Sequence, residues 1–171
     1  MAEDKSKFLK ECIVDATFHL MKKKSITKIT VDDIIKRAGV GRMTYFRNFT
    51  NKMEIIFYKL NSLHDTYFNG LPKLPKTEEE KTLELLKFIY SIKDTYTIIY
   101  KQSPLFILIY FHTKATPDEG NAVDDIYRTA FYINGFVGIV GKWCDREFAE
   151  PPEEIFKYIK EWQVLNNTIK I

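Results

Sequence analysis

The feature that most limits what this chain can fold into lies in residues 30–49, TVDDIIKRAGVGRMTYFRNF. Thr30 reads as an N-cap with Asp33 as its capping-box partner, because a short hydroxyl and a carboxylate three residues apart satisfy each other's backbone N–H groups. Val31, Ile34, Ile35 and Ala38 then recur at i, i+3, i+4 and i+7, one face of a short amphipathic helix. Gly39 supplies the left-handed turn that stops it. A second short helix starts near Gly41 and ends close to Phe49. A capped helix, a glycine turn and a second helix opening on a basic residue together meet the description of a helix-turn-helix.

The remainder reads with helical period almost throughout, so the expected fold class is all-α. A first helix over about 6–24 aligns Leu9, Ile13, Ala16 and Leu20, and Lys22, Lys23 and Lys24 complement the negative end of its dipole. Asn51-Lys52-Met53-Glu54 opens a longer helix with Ile56, Leu60, Leu63 and Tyr67 on one face; Gly70, Pro72 and Pro75 mark the loop that ends it. Thr77 and Glu80 form a second capping box, starting a helix to about residue 94, and a further helical stretch reaches about Gln102. After Ser103-Pro104 comes LFILIYF, which periodicity alone assigns to neither strand nor helix; its helical neighbours favour a helix. The most apolar long segment runs from Asn121 to about Arg146, with Gly135, Gly138 and Gly141 three apart so that another helix backbone can approach. EPPEEIFKYIKEW opens a last helix, with proline in its first turn, Glu153 and Glu154 at its positive end, and Ile155, Ile159 and Trp162 as an apolar stripe.

The charge is divided unevenly. Residues 1–52 carry 12 Lys+Arg against 6 Asp+Glu, while the remaining residues carry 14 against 17. A basic first third on a mildly acidic remainder is what results when one part meets an anionic polymer or surface and the other does not. Cys12 and Cys144 stand far apart with no C-x-x-C pairing, so a reducing cytosol is the default. The charged N-terminus carries no apolar signal segment. The apolar run over 130–140 contains Asn134 and falls short of the ~20 residues a membrane span requires. A cytoplasmic protein with no membrane partner is expected.

Read together, ITVDDIIKRAGVGRMTYFRNFTNKMEII resembles the N-terminal domain of the TetR family of bacterial transcriptional regulators. Thr30, Val31, Ile34, Ile35, Ala38, Gly39, Val40, Arg42, Thr44, Phe49, Asn51 and Lys52 fall on the family's pattern, and the resemblance covers roughly residues 8–60. It implies a DNA-binding domain over 1–52, with the helix-turn-helix at about 30–49, followed by a helical regulatory and dimerisation domain over 53–171. It further implies that the helix starting at Gly41 lies in the major groove of a double-stranded DNA operator. Groove contacts are then expected from Gly41, Arg42, Met43, Thr44, Phe46, Arg47 and Asn48, and phosphate contacts from Thr30 and Lys52.

The residue types suit those roles. Arg42 can offer a bidentate fork to guanine O6 and N7, and Met43 and Thr44 can touch a thymine methyl. The Thr30 hydroxyl stands beside free backbone N–H groups at a helix N-terminus, where a phosphate is stabilised. Tyr45 and Phe49, at i and i+4, are expected to pack inward against Val40 and Ile34. Three departures from the family's pattern stand out. Tyr45-Phe46 replaces the usual Phe-Tyr, so the phosphate bond of that tyrosine hydroxyl is not expected. Met43 replaces a common glycine and adds bulk at the groove, and Ser25 replaces the common glycine that closes the first helix.

YRTAFYINGFVGIVGKWCDREFAEPPEEIFKYI looks like the last two helices of such regulators, which in the family pair with their copies as a four-helix bundle. This implies a homodimer, with Gly135, Gly138, Gly141, Ile155, Ile159 and Trp162 as interface candidates, and so two reading heads for a palindromic operator. Family members bind small effectors among their middle helices, where Phe57, His64, Tyr90, Tyr100, Phe106 and Tyr110 are the candidates here; an aromatic stripe at helical spacing equally suits a core. The reading is a DNA-binding regulator, a repressor, that needs no cofactor. The alternative is a co-activator working mainly through a protein partner, as some compact members do. An enzyme is disfavoured. His19, His64 and His112 are the only histidines, none lies in an H-E-x-x-H pattern, and neither a phosphate-binding P-loop nor a G-x-S-x-G nucleophile elbow occurs.

Overall fold

The computed structural model describes residues 2–114 and 123–166, and the elements among them are helical. In order these are α1 (Ala2–Met21), a single 3-10 turn (Ile26–Lys28), α2 (Val31–Ala38), α3 (Arg42–Asn48), α4 (Lys52–Asn69), α5 (Glu78–Ser91), α6 (Lys93–Gln102), α7 (Pro104–Lys114), α8 (Val123–Asp145) and α9 (Pro152–Asn166). The fold is all-α, with nine α-helices among the described residues. LFILIYF is settled as helix, inside α7. The expected start of α8 at Asn121 lies outside the described residues. Among them, no helix is long and apolar enough to cross a membrane.

Two expected boundaries move. The first helix ends at Met21, so Lys22, Lys23 and Lys24 follow it in a turn in which the Lys23 and Lys24 N–H groups both bond the Leu20 carbonyl. Ser25 then takes over the chain as cap of the 3-10 turn, its hydroxyl accepting from the Thr27 N–H. The fifth helix ends at Ser91, where the Ile92 N–H is shared between the Phe88 and Ile89 carbonyls before the chain restarts at Lys93.

The chain divides into two compact units, with boundaries inside α4 and α6. The first comprises Met1–Leu63 and Ile98–Thr116. Within it α1 packs against α2 and α3, which also pack on each other. Ile13, Val14, Ile26, Ile29, Ile34, Tyr45, Phe49, Ile55 and Ile56 are buried there, each aliphatic side chain contributing about 1.5–3 kcal/mol relative to exposure. Thr17, buried among them, donates its hydroxyl to the Ile13 carbonyl at 2.8 Å and so leaves no orphaned polar atom. α1 and α4 are joined by polar contacts as well. The Tyr58 hydroxyl donates to Glu11 at 2.8 Å, and the Lys10 ammonium lies 4.4 Å from the Tyr58 ring centroid. Burial, reinforced by the Glu11 carboxylate, pushes the Tyr58 hydroxyl up to about 12.

The second unit comprises His64–Thr97 and Pro117–Ile171, and in its described part α5 packs on α9. Its core is an aromatic knot: Tyr90 stacks on Trp143 with centroids 5.7 Å apart, and Phe148 meets Trp143 edge-on at 5.0 Å. The Trp143 indole N–H donates to the Glu150 carbonyl at 3.0 Å. Phe148 reaches the knot because α8 ends in a Schellman motif. The Phe148 N–H bonds the Trp143 carbonyl, the Glu147 N–H bonds the Cys144 carbonyl, and the hydrophobic contact that accompanies the motif is the Phe148–Trp143 pair itself. The motif requires a left-handed residue, and here Glu147 holds that place with φ 58°. An exposed non-glycine side chain in this region is strained. Glu147→Gly should therefore raise stability by about 0.5–1 kcal/mol, since strain relief exceeds the added entropy of the unfolded chain. Urea denaturation with an unchanged m-value would check it.

Candidate nucleic-acid interface

The α2–α3 segment is assembled as its caps dictate. Thr30 accepts the Asp33 N–H on its hydroxyl at 3.1 Å, and Asp33 accepts the Thr30 N–H at 2.8 Å, completing the capping box. The same Asp33 oxygen accepts from the Lys24 ammonium at 2.8 Å. That bond, with those from Thr30, holds the Asp33 carboxyl well below the usual carboxylate range. At the other end of α2, Gly39 has φ 67°, and the Gly39 and Val40 N–H groups both return to the Ile35 carbonyl. A side chain at Gly39 would meet open space, so its requirement for glycine is conformational and not steric.

α3 divides its residues by face. Tyr45 is 1% exposed and Phe49, just past the helix end, is also buried, so the expected inward pair is inward. Met43 is 76% and Phe46 54% exposed, and Arg42 and Arg47 are exposed with them. These four, at i, i+1, i+4 and i+5, form one outward strip. Thr44 and Asn48 flank it, Asn48 half-buried, with the Asn48 amide donating to the Thr44 carbonyl at 2.8 Å. Gly41 is the N-cap and makes no side-chain cap bond. Arg42 donates to Asp32 of α2 at 2.9 Å. Both partners are well exposed, so the pair is weak, and the guanidinium can leave it for a stronger acceptor at little cost. The surrounding field is positive: His19 on α1 is held below its ordinary value by burial first, then by Arg37, Lys23 and Lys22.

Lys52, the first residue of α4, is half-buried and donates its ammonium to the Ile26 carbonyl at 2.6 Å and the Ile29 carbonyl at 2.9 Å. Two of its three N–H groups are thus directed at the chain itself. Gln102 was not foreseen from the sequence. Its side-chain oxygen accepts the Ile26 N–H at 2.7 Å while its amide donates to the Met21 carbonyl at 2.9 Å. Asp32 was likewise unforeseen as the partner of Arg42. A cap can be read from neighbours three residues apart, but a contact across 76 residues leaves no periodic trace.

The effector candidates are distributed over both units: Phe57, Tyr100, Phe106 and Tyr110 belong to the first, His64 and Tyr90 to the second. In the first, Phe57 touches the Tyr110 ring at 5.6 Å, and the Tyr110 hydroxyl donates to Asn61. In the second, His64 lies against Phe68 and Phe88, and Tyr90 stacks on Trp143. The interface candidates divide differently. Ile155, Ile159 and Gly141 are buried within the second unit. Gly135, Gly138 and Trp162 are exposed, and a side chain added at either glycine would meet open space. The outward side of α8 also carries Ile126, Tyr127, Phe131 and Tyr132, all exposed, which the glycine spacing alone did not single out.

Comparison with known proteins identifies the family of both parts of the chain. Residues 13–58 match the family described as bacterial regulatory proteins, tetR family, and residues 76–163 match the transcriptional regulator C-terminal region. Over 68 residues, 40% of the chain, it is 32% identical to the HTH-type transcriptional regulator TtgR of Pseudomonas putida. The same figures hold for the probable HTH-type transcriptional regulator ArpR of the same species. The matched stretch spans about a third of each relative, 32% of its length. Among solved structures the fold is similar to that of the dihydroxyacetone kinase operon activator DhaS, with a TM-score of 0.54 and 17% identity over 92% of this chain and 95% of that one. That likeness concerns the fold.

The capping box generates a pH prediction. A carboxylate whose folded value is depressed stabilises the fold above its unfolded value, about 4, and loses that contribution as pH falls towards the folded value. Asp33→Asn should be less stable than the parent at pH 7, and the two should converge below about pH 4. A difference in denaturation midpoint that stays constant from pH 7 to about pH 2.5 would show that the charge of Asp33 is not what contributes.

Proposed function

Because this chain belongs to the TetR family of transcriptional regulators, we infer that its outward α3 strip reads a palindromic operator in the major groove, that it does so as a homodimer, and that it acts as a repressor. The chain is a helix-turn-helix DNA-binding regulator and not an enzyme. The observation that carries the finer reading is the division of α3: Arg42, Met43, Phe46 and Arg47 stand outward from a helix whose other side is fixed in the core by Tyr45. In this reading Arg42 exchanges Asp32 for a guanine edge and Thr44 and Met43 meet thymine methyls. The Thr30 hydroxyl, which already accepts the Asp33 N–H, still has its own proton to give a phosphate.

The dimer reading is supported by α8. Tyr127 and Phe131, one turn apart and 72% and 68% exposed, continue along the helix to the open Gly135 and Gly138. A second copy covering this face would bury the aromatic rings and hold two reading heads at a fixed spacing. A dimer seated across a promoter excludes polymerase by occupancy, which is the repressor role. Binding of a small-molecule effector would then relieve it.

The test starts from a duplex selected by the purified protein out of random-sequence DNA. Log K should fall linearly with log salt, and a flat plot would remove the reading. Arg42→Ala should cost about 1–3 kcal/mol on the selected duplex and relax preference at one base pair per half-site. Equal losses on selected and scrambled duplexes would show that Arg42 only positions the protein. Phe131→Asp should shift the sedimenting species from dimer to monomer without changing which bases are preferred; an unchanged dimer would exclude the α8 face.

A further inference from the structure

Resting on the reading that α3 and Thr30 meet DNA, we propose that Lys52 and Gln102 are positioning residues. Together they fix the α1–α2 turn, and with it the place of Thr30 relative to α3, without contacting DNA themselves. The 3-10 turn over Ile26–Lys28 has backbone donors and acceptors that no helix can serve, and Ile26 and Ile29 are buried, so water cannot serve them either. Side chains from outside the turn do so. The N–H of Ile26 goes to Gln102 and its carbonyl to Lys52, so this one residue is gripped on both sides.

The next grip bears directly on the site. The Ile29 carbonyl and the Thr30 N–H belong to a single peptide plane. Lys52 holds the carbonyl at 2.9 Å and Asp33 holds the N–H at 2.8 Å, a cation on one side and an anion on the other. The orientation of that plane sets where the Thr30 hydroxyl stands. Lys52 itself opens α4 immediately after the turn that leaves α3, and that turn is tied by its own side chains: the Asn51 oxygen accepts the Glu54 N–H at 3.0 Å, and Glu54 accepts from the Thr50 N–H at 2.7 Å. One ammonium therefore ties the exit of α3 to the entry of α2. Gln102 adds a second tie from the end of α6, joining the last residue of α1 to the turn through its two amide atoms.

A lysine at this place that met a phosphate would show it in the salt dependence; a lysine that positions would not. Binding is measured by fluorescence anisotropy on the selected duplex over a salt series, with amide hydrogen exchange at Ile26 and Thr30 measured on the DNA-free full chain. Gln102→Met and Lys52→Met should each lower affinity on the order of tenfold, the loss of hydrogen bonds to buried backbone. Neither should make the salt slope shallower by as much as half of the roughly one unit that a lost phosphate contact removes. Both should speed exchange at Ile26 and Thr30 roughly tenfold. Gln102→Glu, which keeps the acceptor for Ile26 but loses the donor to Met21, should restore slow exchange at Ile26. A slope shallower by about one unit in Lys52→Met, or unchanged affinity in Gln102→Met, would overturn the proposal. The exchange measurement needs no DNA, so unchanged exchange in both variants refutes the grip itself. A wild-type chain that selects no duplex refutes the DNA reading instead.

Discussion

The peptide between Ile29 and Thr30 is the narrow point through which the site depends on the rest of the first unit. Its carbonyl faces the Lys52 ammonium and its N–H faces the Asp33 carboxylate, which is in turn neutralised by Lys24. A buried or half-buried peptide with both ends paired to ions has little freedom to rotate. The consequences run in both directions along the chain. Upstream, the 3-10 turn must bury Ile26 and Ile29 for the carbonyls to point at Lys52. Downstream, the capping box must form for α2 to begin at Val31.

Against that fixed entry, α3 is only seven residues long and does not hold its own orientation by helical cooperativity. It is held by Tyr45 and Phe49, both buried, at one end of a face whose opposite residues are solvated. Such a short helix costs little to expose because almost none of its outward side chains take part in the core. Met43 and Phe46 are therefore large apolar groups in water, an unfavourable placement that the rest of the helix must offset. Arg42 is kept near this strip by Asp32, an exposed pair that constrains the arginine without binding it strongly.

The second unit follows a different rule. Its interior is organised by rings: Tyr90, Trp143 and Phe148 pack at stacked and edge-on angles, and His64, Tyr67, Phe68 and Phe88 form another group. Tyr67 donates to Glu84 at 3.1 Å, and burial with that carboxylate nearby pushes its hydroxyl up to about 12. Aromatics that spacing groups together in the sequence thus have specific ring partners, which is why their chemistry alone does not define a ligand cavity. The Schellman turn at Glu147 accepts a strained residue because Phe148 gains the knot.

By itself the sequence determined the helical class, the caps at Thr30 and Thr77, the glycine stop after α2, and the inward placing of Tyr45 and Phe49. Each of these is decided by residues three to five apart, through a hydrogen bond or a helical repeat that composition and spacing display. The candidates on α3 came instead from the resemblance of this stretch to a known family, not from spacing. What only the tertiary structure decided is where the long side chains end. Lys52 turns to two carbonyls 26 and 23 residues away, Gln102 reaches one 81 residues away, and Arg42 finds Asp32. Ile155 and Ile159, on an apolar stripe that could have faced another chain, face their own core instead. A backbone carbonyl carries no residue type, so a side chain that binds one leaves no mark at the acceptor's position, and a stripe states that it will be buried without stating against what.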